Sequence, residues 1–206
     1  MEIRRLGRTD LRVTRVGLGT VELGMPYGIG LPAPPPDDEC VRLLHEAAAS
    51  GIGLLDTAAG YGRSEELIGL AFAGRADRPA IATKATARPA PDAAPLRGTA
   101  LRQHLDGSVA RSLARLRLEQ VDLLQFHGLE PEQLDDDLFA AMDHLCARGW
   151  VRWWGASTYG AAAPRAVAAA GGCFASLQVA YNLLDRTLED EVLPACQAAG
   201  IGVVVR

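Results

Sequence analysis

The stretch "IGLLDTAAGYGRSEELIGLAFAG", residues 52–74, decides the fold. Its first five residues form a nearly continuous apolar run that is too short for a helix and ends on a carboxylate, Asp56. Such a run suits a strand covered on both faces. A loop carrying Tyr61 follows, and then Ser64 is placed to cap a helix whose first turn holds Glu65 and Glu66, where negative charge complements the helix dipole. The stretch is one strand–loop–helix unit.

The same unit recurs outward in both directions. Toward the N-terminus, "VTRVGLGT" (13–20) reads as a strand ending at Gly19 and Thr20, followed by a stiff proline-rich loop (25–36) and a helix capped by Asp37 or Asp38 and ended by Gly51. Toward the C-terminus come "AIATK" (80–84), a second proline-rich loop and a long helix from Thr99 whose Leu101, Leu105, Val109, Leu113 and Leu116 share one side. Strands "VDLLQFH" (121–127), "VRWWGAS" (151–157), "ASLQVAYN" (175–182) and "IGVVV" (201–205) then alternate with helices. Short apolar strands alternating with amphipathic helices predict right-handed βαβ crossovers and a parallel sheet, either open and doubly wound or closed as an eight-fold barrel. "GLGTVELG" after the first strand departs from the Gly-x-Gly-x-x-Gly fingerprint, which disfavours the open dinucleotide-binding sheet. No linker divides the chain, so residues 1–206 are expected to form a single domain.

Composition narrows the function classes. The chain has 206 residues, 49% hydrophobic and 22% charged, with net charge −4 and no basic block, which points away from nucleic acid and anionic membrane surfaces. Its N-terminus, "MEIRRLGRTDLRV", lacks the apolar core of a signal peptide, and no run approaches the roughly 18 apolar residues of a membrane span. Cys40, Cys146, Cys173 and Cys196 are scattered without ligand spacing. They are expected to be buried free thiols in a reducing, cytoplasmic compartment, with no metal site.

Function in a parallel α/β fold gathers at the carboxyl ends of its strands. There lie Asp56 with Tyr61 just beyond it, then Lys84, His127, Ser157 with Thr158, and Gln178. Ionisable groups at three consecutive strand ends are not what packing alone selects, because buried charge is costly unless paired. A phenol with its ordinary pKa of about 10 donates poorly near neutrality. A lysine ammonium beside Tyr61 is expected to lower that value, a carboxylate at Asp56 to keep the lysine charged, and a neutral His127 to orient a carbonyl oxygen. The set contains no good covalent nucleophile, and the missing ingredient is a hydride, which a cofactor must bring.

These motifs resemble the aldo-keto reductase family: "RRLGRTDLRVTRVGLGT" its opening, "DTAAGYGRSEELIG" its Asp-and-Tyr motif, "ATK" its lysine strand and "DLLQFH" its histidine strand. "GWVRWWGAS" and "LQVAYN" resemble the strands that hold a nicotinamide carboxamide. The resemblance implies a (β/α)8 TIM-type barrel with a short N-terminal β-hairpin, and an oxidoreductase that reduces aldehydes or ketones with NADPH or NADH. It implies a catalytic tetrad of Asp56, Tyr61, Lys84 and His127, with Tyr61 as acid, and cofactor contacts from Gly19, Thr20, Asp56, Ser157, Thr158 and Gln178. The partner is then a small carbonyl or alcohol compound; a non-catalytic, cofactor-sensing or regulatory protein on the same scaffold, or an inactive fragment, is the alternative. Two departures stand out. Thr158 replaces the family's usual Asn, and about seven strands are legible, so the barrel is expected to be incomplete, its last helix, strand and helix missing from a C-terminally truncated chain.

Overall fold

The computed structural model describes residues 1–30, 33–90 and 92–206, so Leu31 and Pro32 of the first proline-rich loop and Pro91 of the second lie outside the described residues. It opens with an antiparallel hairpin of β1 (Ile3–Arg5) and β2 (Arg12–Thr14). Seven parallel strands follow, in strict sequence order: β3 (Leu18–Gly19), β4 (Leu54–Asp56), β5 (Ala80–Ala85), β6 (Val121–His127), β7 (Val151–Ser157), β8 (Ser176–Val179) and β9 (Gly202–Val205). The helices between them are α1 (Val21–Gly24), α2 (Asp37–Ala49), α3 (Ser64–Phe72), α4 (Gly98–Leu116), α5 (Asp136–Ala147), α6 (Ala162–Ala169) and α7 (Val192–Ala199). Unbroken sequence order in a parallel sheet is the topology of a barrel wall rather than of a doubly wound sheet.

The sheet curls without closing. β3 and β9 are its edges, and a cleft of about 470 Å³ lined by residues of both runs between them. The result is an open half-barrel with the hairpin at its foot.

Some boundaries differ from the sequence expectation for local reasons. The strand expected over 13–20 is divided, because the Thr14 hydroxyl donates to the Val16 carbonyl at 2.7 Å and bends the chain, leaving β2 in the hairpin and β3 in the sheet. Ser64 is not the cap of α3 but its first helical residue, and Arg63 holds the capping position without a side-chain bond. Pro36, rather than either aspartate, precedes α2. Of the thiols, Cys40 and Cys196 are buried, whereas Cys146 and Cys173 are exposed, contrary to the expectation for that second pair. Among the described residues no helix is long and apolar enough to cross a membrane.

Two apolar layers hold the assembly. Between sheet and helices, Leu101, Leu105, Val109, Leu113 and Leu116 of α4 pack with Ile81, Leu124 and Phe126 of the strands. Burial of each large apolar side chain contributes about 1.5–3 kcal/mol. Inside the half-barrel a second cluster joins Leu54, Ala82 and Leu123 to Leu6, Leu11 and Val13 of the hairpin, which thus plugs the amino-terminal ends of the strands. The plug is tied down by the Arg8 amide, which donates to Gly200 O at 2.7 Å, and by Asp10, which accepts from the Trp153 indole at 2.9 Å and pairs with Arg152. Gly7, at φ +53°, presses against the backbone of Gly200 and Gly202, where a side chain has no room. With the foot plugged, the half-barrel stays open at its carboxyl end and along the cleft between β3 and β9.

α3 and α4 cross closely because Gly69 lies on the backbone of Arg115 and Leu116. Gly69→Ala therefore forces the helices apart. It is expected to lower the free energy of unfolding by about 1–3 kcal/mol, as overpacking does, read from urea unfolding followed by circular dichroism.

Candidate active site

Strand periodicity builds the site. Side chains alternate faces, so residues two apart on a strand share one. Leu123, Gln125 and His127 therefore all face the interior of β6, rising from the apolar foot to the open end. On β5 the same parity carries Ala82 and then Lys84, and on β4 Leu54 and then Asp56. Parallel register sets Lys84 opposite Gln125, His127 opposite Ser157, and Ser157 opposite Gln178. The interior thus changes from apolar to polar within one layer.

The tetrad residues meet there. Lys84 Nζ donates to Asp56 Oδ2 at 2.6 Å and to the Thr57 carbonyl at 3.0 Å, and it reaches the Tyr61 hydroxyl at 3.5 Å. The Lys84 side chain is 1% exposed and that of Asp56 20%. His127 stands edge-on to Tyr61, with ring centroids 5.8 Å apart.

Buried hydroxyls fix the loop that presents Tyr61. The Thr20 hydroxyl donates to the Asp56 carbonyl at 3.0 Å, and the Ser64 hydroxyl donates to Thr20 Oγ1 at 2.7 Å. Ser64 has then spent its proton, so Thr57, 2.8 Å away, donates to Ser64. At Gly62, φ +54°, the loop crosses the Gly24 carbonyl, an approach a side chain would block. Farther out, the buried Glu65 carboxylate accepts from Thr83 at 2.6 Å and meets Arg115 at 3.4 Å, while Arg115 also donates to the Ala59 carbonyl at 3.3 Å.

The electrostatics differ from the sequence expectation at Tyr61. Burial, and next the negative charge of Asp56, push its phenol up to about 12 rather than down. The lysine charge that should acidify the phenol is largely absorbed by Asp56, which is nearer. Lys84 is itself pushed below its ordinary value, chiefly by burial, with Asp56 opposing. His127 is also held below its ordinary value, by burial first and the Lys84 charge second, so it is neutral at pH 7.

The residues expected at a cofactor divide into two groups. Ser157 and Gln178 lie side by side at the open end, and Gln178 Oε1 is buried with no partner. A primary carboxamide offers the N–H such an oxygen lacks, so this corner fits a nicotinamide carboxamide. Gly19 and Asp56 line the cleft between β3 and β9. Thr20 and Thr158 do not present free hydroxyls: Thr20 is buried in the network above, and Thr158 turns to the Gln178 carbonyl at 3.5 Å.

Two neighbours of the tetrad were not singled out from the sequence. Gln125 Nε2 donates to Asp56 Oδ1 at 3.2 Å, so both carboxylate oxygens are held. Its signal was present, since it shares the interior face of β6 with His127. Arg206, given no role from the sequence, donates to the Thr158 carbonyl at 3.0 Å, stacks on the Tyr159 ring at 4.3 Å, and adds to the positive field that lowers Lys84 and His127. No local pattern announces either contact.

Known proteins resemble this chain in sequence and fold. Residues 15–206 match the aldo/keto reductase family model. The Bacillus subtilis (strain 168) uncharacterized oxidoreductase YrpG is 32% identical over 224 residues, covering 99% of this chain and 65% of the relative. Aldo-keto reductase YhdN of the same organism is 31% identical over 206 residues, covering 94% of this chain and 58% of the relative. Among solved structures, the holo form of aldo-keto reductase AKR11C1 from Bacillus halodurans superposes with a TM-score of 0.82 at 28% identity, over 100% of this chain and 66% of that one. PA4992 from Pseudomonas aeruginosa gives a TM-score of 0.82 at 29% identity, over 98% and 76%. The chain spans a little under two thirds of the length of the curated relatives it matches.

Removing one partner of the central pair strands the other. Asp56→Asn leaves the Lys84 ammonium buried against neutral groups and is expected to cost about 2–3 kcal/mol of stability at pH 7, below the usual range for a broken buried pair because Asp56 is partly exposed. Lys84→Met added to Asp56→Asn should recover most of that loss in urea unfolding; additive losses would show that the pair is not coupled.

Proposed function

The chain belongs to the aldo/keto reductase family, and we propose that it works as a nicotinamide-dependent oxidoreductase that reduces an aldehyde or ketone to an alcohol and runs in reverse. Residues 1–206 act as one domain in this reading. The observation that carries it is the convergence of Lys84 Nζ on Asp56 and on the Tyr61 hydroxyl, with neutral His127 edge-on to the same phenol. A reduced nicotinamide of NADPH or NADH, when bound, supplies the hydride. Gln178 Oε1 and Ser157 would hold its carboxamide, with Gly19 and Asp56 along the approach.

Each tetrad side chain has a distinct task. His127, being neutral, keeps an N–H to orient the carbonyl oxygen. Tyr61, whose phenol stands at about 12, is protonated throughout the neutral range and so is always loaded as the acid. An alkoxide is a stronger base than a phenolate, so the proton moves downhill as negative charge develops on the substrate oxygen. The phenolate left behind sits 3.5 Å from the Lys84 ammonium, which offsets its charge. Asp56 keeps that ammonium charged and in place at 2.6 Å.

The two directions then differ in pH response. Alcohol oxidation needs Tyr61 ionised, and its rate is expected to rise about tenfold per pH unit through the alkaline range toward 12, whereas carbonyl reduction stays flat near neutrality. Steady-state kinetics in both directions across pH 6 to about 10 would reveal this; a reduction rate that falls steeply above pH 7 would contradict an acid of raised pKa.

Tyr61→Phe is expected to lower kcat for aldehyde reduction by about 10²–10⁴-fold. Cofactor affinity, measured by calorimetry, should stay within about twofold, since no cofactor contact is removed. Turnover indifferent to Tyr61→Phe would rule out the proposed acid. Cofactor binding without turnover on any aldehyde would favour a cofactor sensor.

A further inference from the structure

A second cavity, of about 480 Å³, opens between the loops that follow β5 and β6, and His127 forms part of its wall. Its size is within the range of small-molecule sites. Phe126 and Leu129 make the wall largely apolar, and Tyr159, 59% exposed, stands at the same wall. One Lys or Arg side chain lines it among the described residues, and that is Arg88.

Arg88 is in an unusual position. Its Nε is buried without a partner. Among the described residues its side chain makes no hydrogen bond and no ion pair, although many arginines here are paired: Arg78 with Asp122, Arg97 with Asp135, Arg115 with Glu65. Glu130 lines the same cavity, but its side chain accepts from the Gln133 backbone amide in a capping box and, among the described residues, forms no ion pair with Arg88. Arg88 as a whole is only half-buried and its two terminal nitrogens are not among the buried unpartnered atoms, so the outer edge of the guanidinium stays open to an anion entering the cavity. Its planar fork fits a carboxylate with two parallel bonds. A phosphate, with a larger charge, ordinarily gathers several cations, and among the described residues Arg88 is the one Lys or Arg lining this cavity.

We propose that this cavity receives the far end of the carbonyl substrate and that Arg88 selects substrates bearing a carboxylate there: aldehydes or ketones with an acid group separated from the carbonyl by a short apolar spacer. The proposal rests on the reductase reading for the other end of the same molecule. His127 joins the two ends, since it faces Tyr61 on one side and the cavity on the other. Arg88 is a binding residue, and Tyr61, Lys84 and Asp56 do not touch it.

The test compares 4-carboxybenzaldehyde with benzaldehyde in wild type, Arg88→Met and Arg88→Lys. Arg88→Met keeps the apolar stem and removes the charge. It is expected to lower kcat/KM for 4-carboxybenzaldehyde by about 10–100-fold, through KM, and for benzaldehyde by less than about twofold. Arg88→Lys should restore part of the loss. Equal losses on both aldehydes, a rise in cofactor KM instead, or no wild-type preference for the carboxylated aldehyde would overturn the proposal. A wild-type preference for a phosphate-bearing aldehyde of matched length over the carboxylated one would overturn the carboxylate assignment. Calorimetry with 4-(hydroxymethyl)benzoate against benzyl alcohol needs no turnover: carboxylate-dependent binding lost in Arg88→Met supports the anion site even if no aldehyde is reduced, an outcome that would sink the reductase reading alone.

Discussion

The structure of the open end depends on one ammonium group kept charged where water cannot reach it. Lys84 is 1% exposed, and dehydrating a lone ammonium costs several kcal/mol. Asp56 at 2.6 Å and the Thr57 carbonyl at 3.0 Å offset that cost. Both acceptors come from the end of β4, so the pair also locks the first residues of the loop that carries Tyr61. Gln125 holds the second oxygen of Asp56, which limits rotation of the carboxylate. The charged centre and the geometry of the phenol are therefore consequences of the same contacts.

That centre sits on a scaffold with little freedom to move it. The hairpin plug and the Leu54–Ala82–Leu123 layer fill the foot of the half-barrel, so the polar layer directly above rests on close-packed side chains. Beside it, the chain of hydroxyls from Thr57 through Ser64 and Thr20 to the Asp56 carbonyl joins the end of β3, the end of β4 and the start of α3. A buried hydroxyl chain in which every proton has an acceptor is rigid, because any rotation leaves one group unpaired. Among the described residues five buried polar atoms lack partners: Gln178 Oε1 beside Ser157 and Arg88 Nε in the neighbouring cavity, and also Gln125 Oε1, Ser176 Oγ and Asp106 Oδ1.

Much of this was legible in the sequence. The order of elements followed from apolar runs of strand length alternating with helical periodicity, and the tetrad from where those runs end. Asp56, Lys84 and His127 each lie at the carboxyl end of a strand, and period two turns them inward with the apolar residues beneath. The hairpin was legible only in part, because the bend at Thr14 depends on a side-chain bond to Val16 that no propensity reveals. Ser64 is the first residue of α3 rather than its cap for a related reason, and the hydroxyls of Thr20 and Thr158 bond backbone carbonyls: a hydroxyl can serve a cap, a backbone or a ligand, and sequence does not show which acceptor is nearest.

Sequence by itself determined the alternation of strands and helices, the parallel sheet they imply, and which ionisable residues stand at its open rim. Those properties are encoded in spacing along the chain, which reports the direction of each side chain relative to its own strand. Tertiary structure alone decided that the Tyr61 phenol is raised to about 12, that Arg206 bonds the Thr158 carbonyl and stacks on Tyr159, and that Arg88 has no charged partner among the described residues. Desolvation and hydrogen-bond choice are sums over atoms brought together from distant segments, and no local pattern contains those sums.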